Sequence, residues 1–183
     1  TKKLSTVSMV LCGMFAALVA IGAFIQIPVP YMDYFTLQFF FVLLAGLILG
    51  ADKGAISVGC YVLLGLVGVP IFAAGGGIGY IFRPSFGYLV GFIVSAYVTG
   101  KVCEKLKASY KNYLLACLAG FVVTYAIGIV YKFIILNFYA HTPATLGVIF
   151  LSCFPLDMPG DFVLCLLAAG VGLRMRKSGF YLS

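Results

Sequence analysis

Long apolar runs, broken only by short charged or Pro/Gly-rich segments, recur from one end of this chain to the other. A helix that crosses a bilayer needs ~20 mostly apolar residues and tolerates Pro and Gly inside it. Six stretches qualify as candidate spans, at 5–27, 35–50, 55–69, 86–102, 113–138 and 160–173. Several are short, which predicts tilted or partly spanning helices. A seventh apolar stretch, at 145–154, suits an interfacial or re-entrant helix better than a full span.

Composition excludes the alternative of a soluble domain. Hydrophobic residues make up 63% of the 183 residues and charged residues 9%, against about 25% charged in an ordinary soluble domain. A domain this small has too much surface relative to volume to hide that apolar content from water. No linker or shift in composition divides the chain, so residues 1–183 are expected to form a single transmembrane domain of all-α class. The six cysteines, none in a CxxC pair, read as small buried hydrophobes rather than as disulfide or metal ligands. The first apolar run has no clear signal-peptide cleavage site.

The net charge of +7 is distributed in short clusters between the apolar runs. This is the pattern that orients membrane proteins, not a nucleic-acid footprint. Six spans with an inside start bring Lys2, Lys3, Lys53, Lys101, Lys105, Lys107, Lys111, Arg174, Arg176 and Lys177 to one side. These are ten of the twelve basic residues, so that side, with both termini, is expected to be cytoplasmic. Arg83 and Lys132 are left on the outward half, together with three of the five acids, Asp33, Asp157 and Asp161. Charge near the hydrocarbon is costly and commonly marks a pathway or binding site. Arg83, Lys132, Asp157 and Asp161 are therefore candidates for one outward-facing pocket.

Each has a plainer reading. Asp161 follows Met158-Pro159-Gly160 and could simply cap a helix start. Lys132 could snorkel to the outer surface, and Arg83 could lie among headgroups. Asp33 and His141 read as solvated loop residues. The run Ala73-Ala74-Gly75-Gly76-Gly77-Ile78-Gly79-Tyr80 is the strongest local breaker. It is not a phosphate loop, because no Gly-Lys-Ser/Thr follows; a wall or lid over a flat ligand fits better. Ala16 and Ala20, four apart in the first span, could let another helix approach closely. No metal cluster, catalytic pair or ATP-binding motif is present in the sequence. No cofactor is expected, and uphill movement of a solute would draw on a gradient or a partner.

The ordered set Thr36-Leu37-Gln38, Ala45-Gly46-Leu47-Ile48-Leu49-Gly50, Gly54-Ala55-Ile56-Ser57-Val58, Leu64-Gly65-Leu66-Val67-Gly68-Val69-Pro70, Gly76-Gly77-Ile78-Gly79, Pro84-Ser85-Phe86-Gly87-Tyr88 and Pro159-Gly160-Asp161 resembles the BioY family. These are the biotin-binding S-components of energy-coupling factor (ECF) vitamin transporters. The resemblance implies a six-helix S-component fold with an outward biotin pocket. It further implies a membrane scaffold protein and two cytoplasmic ATPases that consume the ATP. Small residues on the first helix meet the scaffold in such proteins, which matches Ala16 and Ala20. The chain departs from the family pattern at Leu164, where a lysine is usual three residues after the aspartate. It departs also at Phe86, where glycine is usual, and at Arg83, which replaces the glycine of a Gly-Pro pair. Lys132 or Arg83 is then expected to take over the charge absent at Leu164. Asp161 is expected to accept hydrogen bonds from the biotin ureido group, and Tyr80, Phe86, Tyr88 and Tyr131 to wall the pocket. Asp157, Gln38, Gly77 and Gly79 complete the expected site. Another small carboxylated cofactor such as lipoate is the nearest alternative ligand, and an intramembrane enzyme or a purely structural subunit the alternatives of other classes.

Overall fold

The structure, a computed structural model, describes residues 5–28, 34–140, 144–153 and 157–179. Asp33 and His141 lie outside the described residues. Among the described residues seven α-helices make up most of the fold: α1 (Thr6–Phe24), α2 (Gln38–Leu49), α3 (Ala51–Val67), α4 (Phe86–Lys105), α5 (Tyr110–Ile134), α6 (Leu146–Cys153) and α7 (Asp157–Lys177). Four helical segments among the described residues are long and apolar enough to cross a membrane: α1, α4, α7, and α5 together with the π-helical turn Ile135–Tyr139 that extends it. At 1.5 Å per residue, the 12 residues of α2 span only ~18 Å. The 8 residues of α6 span still less, ~12 Å.

The short α2 is the centre of the bundle. It packs against α1, α3, α4, α5 and α7, and every residue from Val42 to Leu49 is buried. A helix that is apolar all round belongs in a core, which is what this sequence provides. A single residue, Gly50, connects α2 to α3 with φ of 81°, a conformation that favours glycine. Glu104 of α4 caps the start of α3: its Oε1 accepts a hydrogen bond from the Ala51 amide at 2.9 Å. The unpaired amides of a helix start account for this acid at the end of a neighbouring helix. The turn at 51–54, expected as a loop, is thus the first turn of α3.

Two features were not expected. Before α2 the chain forms a short antiparallel hairpin of β1 (Gln26–Pro28) and β2 (Tyr34–Thr36), with Ile27 opposite Phe35. Beyond Lys132, α5 widens into its π-helical turn. There Asn137 donates from Nδ2 to the Ala144 carbonyl at 2.9 Å and accepts from the Ala144 amide at 3.3 Å. This clasp holds the start of the α6 segment against α5.

The ends of α4 and α7 and the starts of α3 and α5 lie together. Arg176 donates from Nη1 to the Tyr113 hydroxyl at 3.1 Å, tying α7 to α5, and Glu104 ties α4 to α3. This end carries Lys53, Lys101, Lys105, Lys111, Arg174, Arg176 and Lys177. The opposite end, formed by the starts of α2, α4 and α7 and the far end of α5, holds the principal cavity.

On α1 the buried side comprises Ser8, Cys12, Phe15, Ala16, Val19, Gly22 and Ala23. Ala16 faces the bundle interior at 7% exposure, and Ala20 is half-buried. The pair Ala16 and Ala20 therefore does not form an open face for another helix. The small residues exposed on α1 are Gly13 and Ala17. The cause is helical spacing: position 16 continues the stripe 8, 12, 15, 19, whereas 13 and 17 fall outside it.

Candidate functional site

The cavity encloses about 860 Å³ of empty space, its open mouth included. Five elements bring polar side chains to it. From α7 come Asp157 and Asp161, from the outer part of α5 Tyr125 and Lys132, from α4 and the residue before it Tyr88 and Ser85, from the start of α2 Gln38, and from β2 Thr36. Apolar walls come from Phe35 and Phe39, from Leu89 and Phe92 of α4, and from Ala73, Ala74 and Tyr80 of the glycine-rich loop.

The polar groups are not equally available. The Asp161 carboxylate accepts a hydrogen bond from the Tyr125 hydroxyl at 2.8 Å. Asp161 lies more than a turn inside α7, which begins at Asp157, so it does not cap the helix. Gln38 is committed to the fold: its Nε2 donates to the Tyr61 hydroxyl at 2.6 Å, and Tyr61 donates in turn to the Ile71 carbonyl at 3.1 Å. The Lys132 side chain lines the cavity, and its ammonium has no hydrogen-bond or ion-pair partner among the described residues. Tyr88 lies edge-on to Tyr125, with ring centroids 5.8 Å apart. Its hydroxyl is 3.1 Å from the thiol of Cys153 in α6.

Close packing sets the shape of the walls. A Cβ at Gly160 would meet the Phe35 ring, so the glycine before Asp161 admits that ring as a cavity wall. A Cβ at Gly128 would meet the Tyr88 ring in the same way. Phe39 stacks on Phe92 at 5.9 Å, and Phe121 packs on Tyr125 at 4.7 Å. The aromatic wall is thereby continuous with the core.

Six of the expected residues, Asp161, Asp157, Lys132, Tyr88, Tyr80 and Gln38, come together at the cavity. Five do not line it. Phe86 is buried against Tyr131, with centroids 5.8 Å apart. Tyr131 donates its hydroxyl hydrogen to the Ile81 carbonyl and lines a separate apolar hollow on α5. Arg83 is exposed, its guanidinium 5.3 Å from the centroid of the Tyr80 ring. Gly77 and Gly79 shape the loop instead: the Gly77 amide donates to the Gly65 carbonyl at 2.7 Å, and Gly77 has φ of 103°. The helical rotation of about 100° per residue explains two of these placements. It turns Tyr131 away from its neighbour Lys132, and Phe86 away from the face shared by Ser85, Tyr88, Leu89 and Phe92. Leu164 belongs to the buried core, nearly one turn deeper along α7 than Asp161.

Tyr125, Phe35, Phe39, Ser85, Leu89 and Phe92 were not singled out from sequence. A signal for Tyr125 existed: it precedes Lys132 by seven residues, with Gly128 between them on the same stripe. Phe35 is placed by the β-hairpin, for which periodicity offers no sign.

The family model of the BioY family matches residues 1–179. A protein of Lysinibacillus sphaericus named probable biotin transporter BioY is 40% identical over 177 residues, which cover 96% of this chain and 90% of that one. The biotin transporter BioY of Thermotoga maritima is 39% identical over 169 residues, covering 90% and 93%. A crystal structure of the S-component for biotin from an ECF-type ABC transporter superposes with a TM-score of 0.84 at 24% identity. It covers 98% of this chain and 97% of that one, so the fold is shared. With its apolar helices, this is a multi-pass membrane protein, and the chain belongs to the BioY family.

Proposed function

We propose that this protein is the substrate-binding membrane subunit of an ECF-type vitamin transporter and that its ligand is biotin. The observation that carries this reading is the cavity that places Asp161, held by Tyr125, and Lys132 on different helices, with aromatic walls between them. Biotin has a ureido ring with two N–H donors, an apolar bicycle and chain, and a terminal carboxylate. Asp161 accepts from the ureido N–H groups, and Lys132 pairs with the carboxylate in place of the lysine absent at Leu164. Phe35, Phe39, Phe92, Tyr80 and Tyr88 cover the apolar body. The names of the relatives from Lysinibacillus sphaericus and Thermotoga maritima support biotin over lipoate. So does the position of Phe86, whose ring lies outside the cavity lining.

In this reading α1 to α5 and α7 are the six membrane helices, the short α2 lying inside the bundle without crossing the hydrocarbon by itself, and the basic end is cytoplasmic by the positive-inside rule. The cavity then opens outward. The subunit itself is no enzyme; a membrane scaffold and two cytoplasmic ATPases supply the energy, and the exposed α1 face with Gly13 and Ala17 meets the scaffold. Calorimetry on the purified protein tests the core of the proposal, with dethiobiotin and lipoate as comparators. Tight binding of biotin and none of lipoate is expected. Binding of lipoate in preference to biotin would overturn it.

A further inference from the structure

The contact between Tyr88 and Cys153 is not used by the ligand chemistry above. Cys153 is the last residue of α6 and is fully buried. Its thiol is 3.1 Å from the hydroxyl of Tyr88, a residue of a different helix 65 positions away in sequence. Among the described residues, what else fixes Tyr88 is shape: its ring lies over Gly128 and edge-on to Tyr125. Ring packing constrains the plane of a phenol but leaves its hydroxyl hydrogen free to rotate. The thiol supplies the missing partner, and α6 is held in turn by packing on α5 and by the Asn137 clasp at its start.

We infer that Cys153 is a positioning residue for the ligand site: through its contact with the Tyr88 hydroxyl it fixes the wall that faces Asp161 and Lys132. Cys153 itself does not line the cavity; its effect passes through Tyr88. The contact also makes α6 part of the binding apparatus, although no residue of that helix lines the cavity.

This inference rests on the reading of the cavity as a biotin site. The test is a double-mutant cycle on biotin affinity, with the wild type, Cys153→Ala, Tyr88→Phe and the double variant each measured by calorimetry. Loss of one such hydrogen bond weakens binding by about threefold to tenfold. Cys153→Ala is expected to show that loss in the wild-type background and little of it in the Tyr88→Phe background. Cys153→Ser, whose hydroxyl can replace the thiol, is expected to keep affinity within about twofold. Should the alanine variant fail to fold, Cys153→Val, which fills the site but offers no hydrogen-bonding group, takes its place in the cycle with the same loss expected. Wild-type affinity in Cys153→Ala, or losses that multiply in the double variant, would overturn the positioning role while leaving the biotin reading intact. A wild-type protein that binds no biotin would sink both.

Discussion

Tyr125 and Asp161 lie on different helices, 36 positions apart in sequence, and are joined by a hydrogen bond of 2.8 Å in the cavity wall. The contact orients the carboxylate and leaves its remaining lone pairs for a ligand. Tyr125→Phe is expected to weaken biotin binding by about threefold to tenfold, since the carboxylate loses one neutral donor. Asp161→Ala removes the acceptor itself and should cost about 10- to 100-fold. Titration calorimetry on the detergent-solubilised protein distinguishes the two, and equal losses would show that Tyr125 has another role.

Lys132 is expected to recognise the ligand's carboxylate and nothing else. Lys132→Ala should weaken biotin binding by about tenfold or more. Biotin amide, which carries no charge at that position, should bind the wild type and the variant alike. A variant that loses the same factor for both ligands would place Lys132 in the architecture rather than in recognition.

Arg83 provides the contrast. It is exposed, and its contact with the Tyr80 ring is a cation–π interaction worth about 0.5–1 kcal/mol at such a site. Arg83→Ala is expected to change biotin affinity by less than about fivefold. A loss as large as that of Lys132→Ala would show that the two cations share the ligand charge.

Gly160 makes room for the Phe35 ring. Gly160→Ala should push that ring toward the cavity and weaken biotin binding by about tenfold, the usual scale of an overpacked contact. Phe35→Leu in the same chain should recover part of the loss. Absence of any recovery would mean that the alanine acts by disturbing α7 rather than the wall.

Arg176 and Tyr113 form a contact at the other end of the bundle, far from the ligand. Tyr113 is 1% exposed, and Arg176→Ala removes a donor to its hydroxyl. The cost is about 0.5–1.5 kcal/mol of stability, the net worth of one hydrogen bond, because the hydroxyl keeps the Cys103 thiol beside it. A lowered thermal midpoint in detergent with unchanged biotin affinity is the expected result.

Much of the fold could be read from the chain because membrane helices announce themselves locally. Each apolar run maps onto a helix, with shifts of a few residues at the ends. The helix ends moved where the local signal was polar and the cause was distant. Asp52 and Lys53 look like a loop until Glu104 is found capping the helix they begin. At the site, the charged residues stood out because charge is expensive beside hydrocarbon. Asp157, Asp161 and Lys132 were legible for that reason alone. Tyr125, Phe39 and Phe92 were not, since an aromatic residue in a membrane helix looks the same whether it faces lipid, core or ligand.

Sequence by itself therefore determined that this is an all-helical membrane protein, which charges lie at which ends of its helices, and to which family it belongs. All three follow from hydropathy, from the cost of charge in a bilayer, and from ordered local motifs. Only the tertiary structure decided which side of each helix meets the cavity. It turned Tyr131 and Phe86 away from the site and Ala16 into the bundle, and it brought Tyr125 to Asp161 and Cys153 to Tyr88. The reason is geometric: neighbouring residues on a helix point about 100° apart. Which of those directions is inward depends on how the helices pack, and that is a property of the whole bundle rather than of any one segment.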